Sequence, residues 1–314
     1  MEVRATLLVL LSMTAIAEAK PAHLVSFGGY GSPGTVVMRG RAFKGKPPSG
    51  ALARLSIAKV ASTLRAFTRR DLENPVVVVT DAASGRVVEM RGDDDGFYEV
   101  RVPGPFPAGP RRLTVALRHA RYVAEPLDEV VHVVDQGVVV VSDIDDTLIH
   151  TGVVGSKLKL VARVFSQDAG DLRSIDGAAD ALGAFAGAGY PIFYLSASPA
   201  RLGPRLRQAF TMAGFPAGSL FLRHYETDGM GDPSAYKRRV LDRLAIDLPR
   251  ARFVLIGDNG EKDPAIFAGF AKDTGRVAER FIRKTRPADA GDGAVMFDTY
   301  EELRGLAREK RILP

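Results

Sequence analysis

Three carboxylates within four positions, Asp143, Asp145 and Asp146, follow directly on the apolar run of residues 138–141. An Asp-rich turn is ordinary by itself, because Asp bonds to nearby backbone and favours turns. Crowding changes that: like charges at the mouth of an apolar segment oppose one another's ionisation unless a cation neutralises them. Carboxylate oxygens at that density suit a hard divalent ion such as Mg²⁺. A second acidic loop, residues 257–263, follows the apolar run 253–256 and supplies Asp258 and Asp263. Between the two lie Ser196-Ala197-Ser198-Pro199, again after an apolar run, and Lys237 near the start of a helical stretch. A hydroxyl with backbone N–H groups at a helix start is a natural phosphate seat. Phosphoryl chemistry needs such positioning groups and positive charge. Ser198 competes with Ser196 for that seat, and Arg238 or Arg239 with Lys237 for the cationic role. Asp146 reads as a solvated or loop-capping carboxylate.

These residues need a scaffold. Residues 138–141 are β-branched throughout, as in a central strand of a parallel sheet covered on both faces, and ligands bind beyond the carboxyl ends of such strands. From Gly137 onward strands and helices alternate: helix 176–189, strand 191–195, helix 200–213, strand 220–224, helix 236–245, strand 253–256, helix 264–271 and strand 277–282. Thr299 and Glu302 have capping-box spacing ahead of a last helix. The expected fold class is α/β, a doubly wound parallel sheet, over residues 136–314. Residues 20–135 read instead as short alternating strands, at 35–43, 76–80, 87–91, 97–102, 112–117 and 130–134, interrupted by one helix within 51–68. An all-β sandwich is the natural assembly for them, a binding or positioning domain without a catalytic cluster.

Residues 1–19 stand apart. Arg4 precedes an apolar run, and Ala17-Glu18-Ala19 reads as a cleavage site, so the segment is a signal peptide and the protein is expected to be exported, periplasmic or secreted. An uncleaved anchor is the alternative, although the run falls short of the roughly 20 residues a membrane helix needs. The formal net charge of +6 suits anionic surfaces or phosphorylated substrates. There is no cysteine, which excludes disulfides, thiolate zinc sites and cysteine nucleophiles. The five histidines show no HExxH spacing.

DxDxT at Asp143, Asp145 and Thr147, Ser196, Lys237 and the GDxxxxD of Asp258 and Asp263 together resemble the four motifs of the haloacid dehalogenase superfamily. SDIDDT, YLSASP and IGDNGEKDP, with Ile282-Arg283, are similar to the actin-patch-protein type phosphatidate phosphatases and their bacterial relatives. The resemblance implies that Asp143 attacks phosphorus, that Asp145 serves as acid and base, and that Thr147, Ser196 and Lys237 hold the phosphoryl group. It also implies that Asp143, the backbone carbonyl of Asp145, Asp258 and Asp263 form the Mg²⁺ site.

Only 48 residues separate Thr147 from Ser196, and 20 separate Lys237 from Asp258. No large cap fits, which favours a head group on a bulky or membrane-embedded substrate. Residues 155–166 form a basic amphipathic pattern that suits either an anionic bilayer or the protein core, and Arg201, Arg205 and Arg207 are expected on the same basic face. The expected activity is Mg²⁺-dependent hydrolysis of phosphatidate or a related lipid phosphomonoester. The alternatives are a phosphatase of soluble phosphomonoesters and an envelope binding protein with an inactive core. Nucleic acid is not an expected partner, and the oligomeric state is left open.

Overall fold

The computed structural model describes residues 19–45, 70–150, 174–229, 231–287 and 293–314. The leader, the helix within 51–68 and the amphipathic segment 155–166 lie outside the described residues, the leader save for its last residue.

The first eight strands are β1 (Lys20–Ser32), β2 (Thr35–Lys44), β3 (Val76–Asp81), β4 (Arg86–Arg91), β5 (Phe97–Pro103), β6 (Gly109–Arg118), β7 (Tyr122–Val123) and β8 (Leu127–Val133). They form one mixed sheet in the order β4-β3-β6-β8-β1-β2-β5, with β7 beside β1. The end strands β4 and β5 approach one another, so the sheet curls almost into a barrel. Alternation puts Val77, Val79, Tyr98, Val100, Val102, Leu113, Val115, Val131 and Val133 in its interior.

The second sheet is parallel and six-stranded. Its elements are β9 (Gly137–Asp143), α1 (Ala178–Gly187), β10 (Ile192–Pro199), α2 (Gly203–Met212), β11 (Ser219–Arg223), a single helical turn α3 (Tyr225–Asp228), α4 (Pro233–Asp247), β12 (Ala251–Asp258), α5 (Asp263–Thr274), β13 (Val277–Arg283), β14 (Val295–Phe297) and α6 (Tyr300–Glu309). The strand order is β11-β10-β9-β12-β13-β14. Val139, Val140 and Val141 are wholly buried in β9, with Val140 in one core and its neighbours in the other.

The expected fold class is corrected on two counts. The upstream region is not a two-sheet sandwich but one mixed, nearly closed sheet. Alternation shows that one face of each strand is buried, and it reads the same whether that face meets a second sheet or the inside of a curled one. The downstream region is a separate parallel sheet, strand outweighs helix among the described residues, and a doubly wound arrangement with a helix on every crossover is not what it shows. Among the described residues the connection from β13 to β14 carries no helix.

The two sheets pack directly. Phe27 of β1 enters one core of the parallel sheet, and Tyr30 and Val37 enter the other. The Ser219 hydroxyl at the start of β11 donates to the Gly29 carbonyl at 2.9 Å. The basic face expected of Arg201, Arg205 and Arg207 is not formed. Arg201 is paired with Asp71, Asp95 and Glu226, Arg205 is buried, and Arg207 donates to the Gly218 carbonyl. Arg201 and Arg207 meet acceptors within the fold and Arg205 is buried in it, so these groups serve packing.

Candidate active site

The register of the parallel sheet sets the site. Ser142 of β9 stands opposite Tyr194 of β10 on one side and Ile256 of β12 on the other, so the carboxyl ends of three central strands finish side by side. Asp143, Ser196 and Asp258 are all fully buried there. The chain leaving β9 turns back sharply: Ile144 and Leu148 bury their side chains, and the Leu148 N–H donates to the Ile144 carbonyl at 2.9 Å. Asp146 takes the left-handed conformation at φ 53° to make that turn, a conformation Asp tolerates better than most residues.

The turn puts Thr147 between the two acidic strand ends. Its hydroxyl lies 2.9 Å from Asp143 Oδ2 and 3.4 Å from Asp258 Oδ2. The Thr147 side chain is therefore engaged with carboxylates, and a contact to phosphate would exchange one of these bonds. Asp145 accepts from Ser196 Oγ at 2.5 Å and from Ser198 Oγ at 3.3 Å, while the Ser198 N–H donates to Ser196 Oγ at 3.0 Å. Both candidate serines thus face the same carboxylate.

Lys237 comes from the inner face of α4, a helix capped by Asp232. Its side chain is only 2% exposed, and its ammonium lies 2.7 Å from Asp143 Oδ1, 2.6 Å from Asp263 Oδ1 and 3.3 Å from Glu261 Oε2. Its two rivals point elsewhere: Arg238 pairs with Asp242 and Asp273, and Arg239 lies beside Asp228. Asp263 begins α5 and is fully buried. Asp258 Oδ1 accepts from the Gly260 N–H at 2.5 Å and from Thr285 Oγ1 at 3.2 Å.

The structure therefore gathers Asp143, Asp145, Thr147, Ser196, Lys237, Asp258 and Asp263 at one place. It also adds Tyr300 and Thr285, which carry no local signal in the sequence, and gives a place to Arg283 of the Ile282-Arg283 pair. The buried Tyr300 hydroxyl donates to the Thr147 carbonyl, and Arg283 Nη1 donates to the Asp146 carbonyl at 2.9 Å. Together with Thr285 they hold the two acidic loops from the far side of the sheet. Asp146 itself meets Arg283 through its backbone.

Burial raises every carboxylate of the cluster. Asp143 is held well above the ordinary range by burial, which Lys237 opposes and Asp263, Asp145 and Asp258 reinforce. Asp145 is raised to about 6 by burial, offset in part by its bond from Ser196. Asp258 also rises to about 6, through burial and the charge of Asp263. Burial raises Asp263 as well, against the pull of Lys237. For Lys237 burial alone would lower the value, but Asp143, Asp263 and Glu261 more than reverse it. Four buried acids against one ammonium leave the site short of positive charge.

A divalent cation fits that deficit. Oxygens of Asp143, Asp258 and Asp263 lie within 4.8 Å of one another. The buried atoms Asp145 Oδ1 and Asp263 Oδ2 have no hydrogen-bond partner. An all-oxygen donor set of this kind suits Mg²⁺.

Residues 138–284 match the family described as phosphatidate phosphatase APP1, catalytic domain. The chain is 28% identical over 221 residues to phosphatidate phosphatase APP1 of Saccharomyces cerevisiae, a match covering 64% of this chain and 36% of that protein. It is 32% identical over 139 residues to an uncharacterised protein of Schizosaccharomyces pombe, covering 43% of this chain and 23% of the relative. The matched regions thus span little more than a third of one relative and about a quarter of the other. Among solved structures, a carbohydrate acetylesterase from Xanthomonas citri aligns at TM-score 0.27 and 11% identity, covering 94% of this chain and 74% of that one, too low to indicate a shared fold. The family match begins within β9 and ends just beyond Arg283, so it encloses every carboxylate, hydroxyl and ammonium of the cluster except Tyr300 and Thr285. Residues 138–284, which hold the cluster, are thus similar to the phosphatidate phosphatase APP1 catalytic domain.

Proposed function

We propose that this chain is a Mg²⁺-dependent phosphatase that hydrolyses phosphatidate, or a related lipid phosphomonoester, to diacylglycerol and phosphate. The observation that carries the proposal is the meeting of Asp143 and Asp258 at the tips of adjacent strands, with Lys237 between Asp143 and Asp263. The name of the yeast relative supports the substrate class.

In this reading an Asp143 carboxylate oxygen attacks phosphorus, the phosphorus–oxygen bond to the lipid breaks, and an aspartyl phosphate forms. The leaving oxygen takes its proton from the Asp145 carboxyl group, which holds a proton closer to neutrality than an ordinary Asp does. Asp145 then removes a proton from water, the oxygen of that water attacks phosphorus, and phosphate leaves as Asp143 is restored. Lys237 and Ser196 turn from their present carboxylate partners to the phosphoryl oxygens. Asp143, Asp258, Asp263 and the Asp145 carbonyl would hold Mg²⁺, which supplies positive charge to offset that of the phosphoryl group.

Export through residues 1–19 and contact of residues 155–166 with an anionic bilayer belong to the same proposal. No helix of the described residues is long and apolar enough to cross a membrane. The test is phosphate release from phosphatidate vesicles and from a soluble aryl phosphate, each with and without Mg²⁺. Mg²⁺-dependent release from vesicles is expected. Turnover of the soluble ester alone would move the assignment to soluble phosphomonoesters.

A further inference from the structure

One buried cation beside the site has no role in the scheme above. Arg223 ends β11, stands opposite Pro199 of β10, and is 3% exposed. It is thus one strand away from the serine turn that offers the phosphate seat. Its guanidinium carbon lies 5.3 Å from the Tyr225 ring centre. The charge of Asp145 reaches that phenol, after burial and Arg223 the next influence on it. Arg223 is therefore in contact with a phenol that feels the charge of Asp145.

The bonding of Arg223 is incomplete. Nη1 donates to the Gly231 carbonyl at 2.9 Å, Nε is buried without a partner, and no carboxylate among the described residues pairs with it. Arg41, also deeply buried, meets Asp71. A guanidinium keeps its proton at any ordinary pH, and leaving such a charge unpaired away from water is costly. The arrangement is economical only if an anion completes it, and a planar fork of N–H groups matches phosphoryl oxygens.

We infer that Arg223 is a second cationic grip on the phosphoryl group, beside the serine turn, placed by the Gly231 carbonyl and the Tyr225 ring. This rests on the phosphatase proposal, and the ligand class is a phosphate monoester or free phosphate dianion. A second fixed positive charge favours a doubly charged monoester over a singly charged diester.

The test is calorimetric binding of inorganic phosphate to the full chain with Mg²⁺, beside steady-state hydrolysis, for wild type, Arg223→Met, Arg223→Lys and Asp143→Asn. Arg223→Met is expected to weaken phosphate binding at least about tenfold and to raise KM more than it lowers kcat. Arg223→Lys keeps the charge but not the fork, and is expected to weaken binding severalfold; it decides the matter if thermal melting shows the Met variant unfolded. Phosphate affinity within twofold of wild type in Arg223→Lys, or in a folded Arg223→Met, overturns the inference. So does a wild-type protein that binds no phosphate. Loss of turnover in Asp143→Asn with unchanged binding in the Arg223 variants would refute the grip and leave the phosphatase proposal standing. Phosphate binding that depends on Arg223 in a protein that hydrolyses no ester would do the reverse.

Discussion

Two clusters of charge in this molecule are built to opposite rules. At the junction of the sheets Asp247 accepts from Tyr30 at 2.8 Å and from both terminal nitrogens of Arg101 at 2.9 and 3.1 Å, while Arg243 pairs with Glu99. Burial would raise Asp247, but the bonds from Arg101 and Tyr30 and the nearby guanidinium charges bring it below the usual carboxylate range. At the strand tips Asp258 is raised to about 6. Both are carboxylates removed from water, and what separates them is the counter-charge. The junction acids are matched by permanently charged arginines and so form a fixed lock. The strand-tip acids are left short, and the missing charge must come from something that can arrive and leave.

Neutralising a nucleophile and neutralising a lock should therefore fail differently. Asp143→Asn is expected to cut phosphate release by at least about a thousandfold while the melting temperature stays level or rises, since it relieves like-charge repulsion among four acids. Retained turnover in a folded variant would remove Asp143 as the attacking group. Asp247→Asn is expected to do the opposite. It removes the carboxylate that Arg101 forks and leaves Arg101 and Arg243 to share Glu99, at a cost of about 2–3 kcal/mol in urea unfolding at pH 7, at the low end for a broken pair because the site is half-buried. Because the native pKa of Asp247 is depressed, its stabilisation is complete above the unfolded value and fades as pH falls through the native one. The cost of the substitution should shrink accordingly in acid.

Asp258→Asn sharpens the contrast, with an effect of about 2 kcal/mol. A carboxyl group whose native value is raised binds more protons folded than unfolded between roughly pH 4 and 6, so stability falls as pH rises through that window. Without metal, Asp258→Asn should melt higher than wild type at pH 7, and the gap should close toward pH 4. With Mg²⁺ the order should reverse, because only wild type gains the cation's full binding energy. Identical melting curves with and without Mg²⁺ in wild type would show that no exchangeable cation supplies the missing charge.

The same contrast explains which parts were legible in the sequence. β9 and β12 announce themselves because an apolar run ending in acids cannot hide its purpose. The junction cannot be read that way, since Tyr30, Arg101 and Asp247 come from β1, β5 and α4 and carry no shared pattern. β1 is not among the strands expected from alternation: Ser-Phe-Gly-Gly-Tyr-Gly-Ser has no period of two, yet Gly28, at φ 85°, makes a bulge that lets the strand continue. At Gly29 a side chain would collide with Val131 and Met38. Those glycines mark close packing of β1 on its neighbours. The sandwich expected of residues 20–135 fails for a related reason, since alternation records burial but not partner. Strand β14 has only three residues, too few for any period.

Tyr300 is the smallest of these tests and bears on how the nucleophile is aimed. Its hydroxyl bonds the carbonyl of Thr147, whose side chain in turn bonds Asp143. Tyr300→Phe keeps the ring, which packs against Phe297 at 5.3 Å, and removes one hydrogen bond, so a loss of about 1 kcal/mol in unfolding is expected. The functional effect should be a severalfold fall in kcat with KM unchanged, because the reacting carboxylate loses alignment while phosphate binding by other residues is intact. A stability loss without any change in kcat would mean that the Ile144–Leu148 backbone bond and Arg283 suffice to hold the turn. In that case the acidic tip is rigid through its own backbone, and the clamp from α6 serves the fold rather than the chemistry.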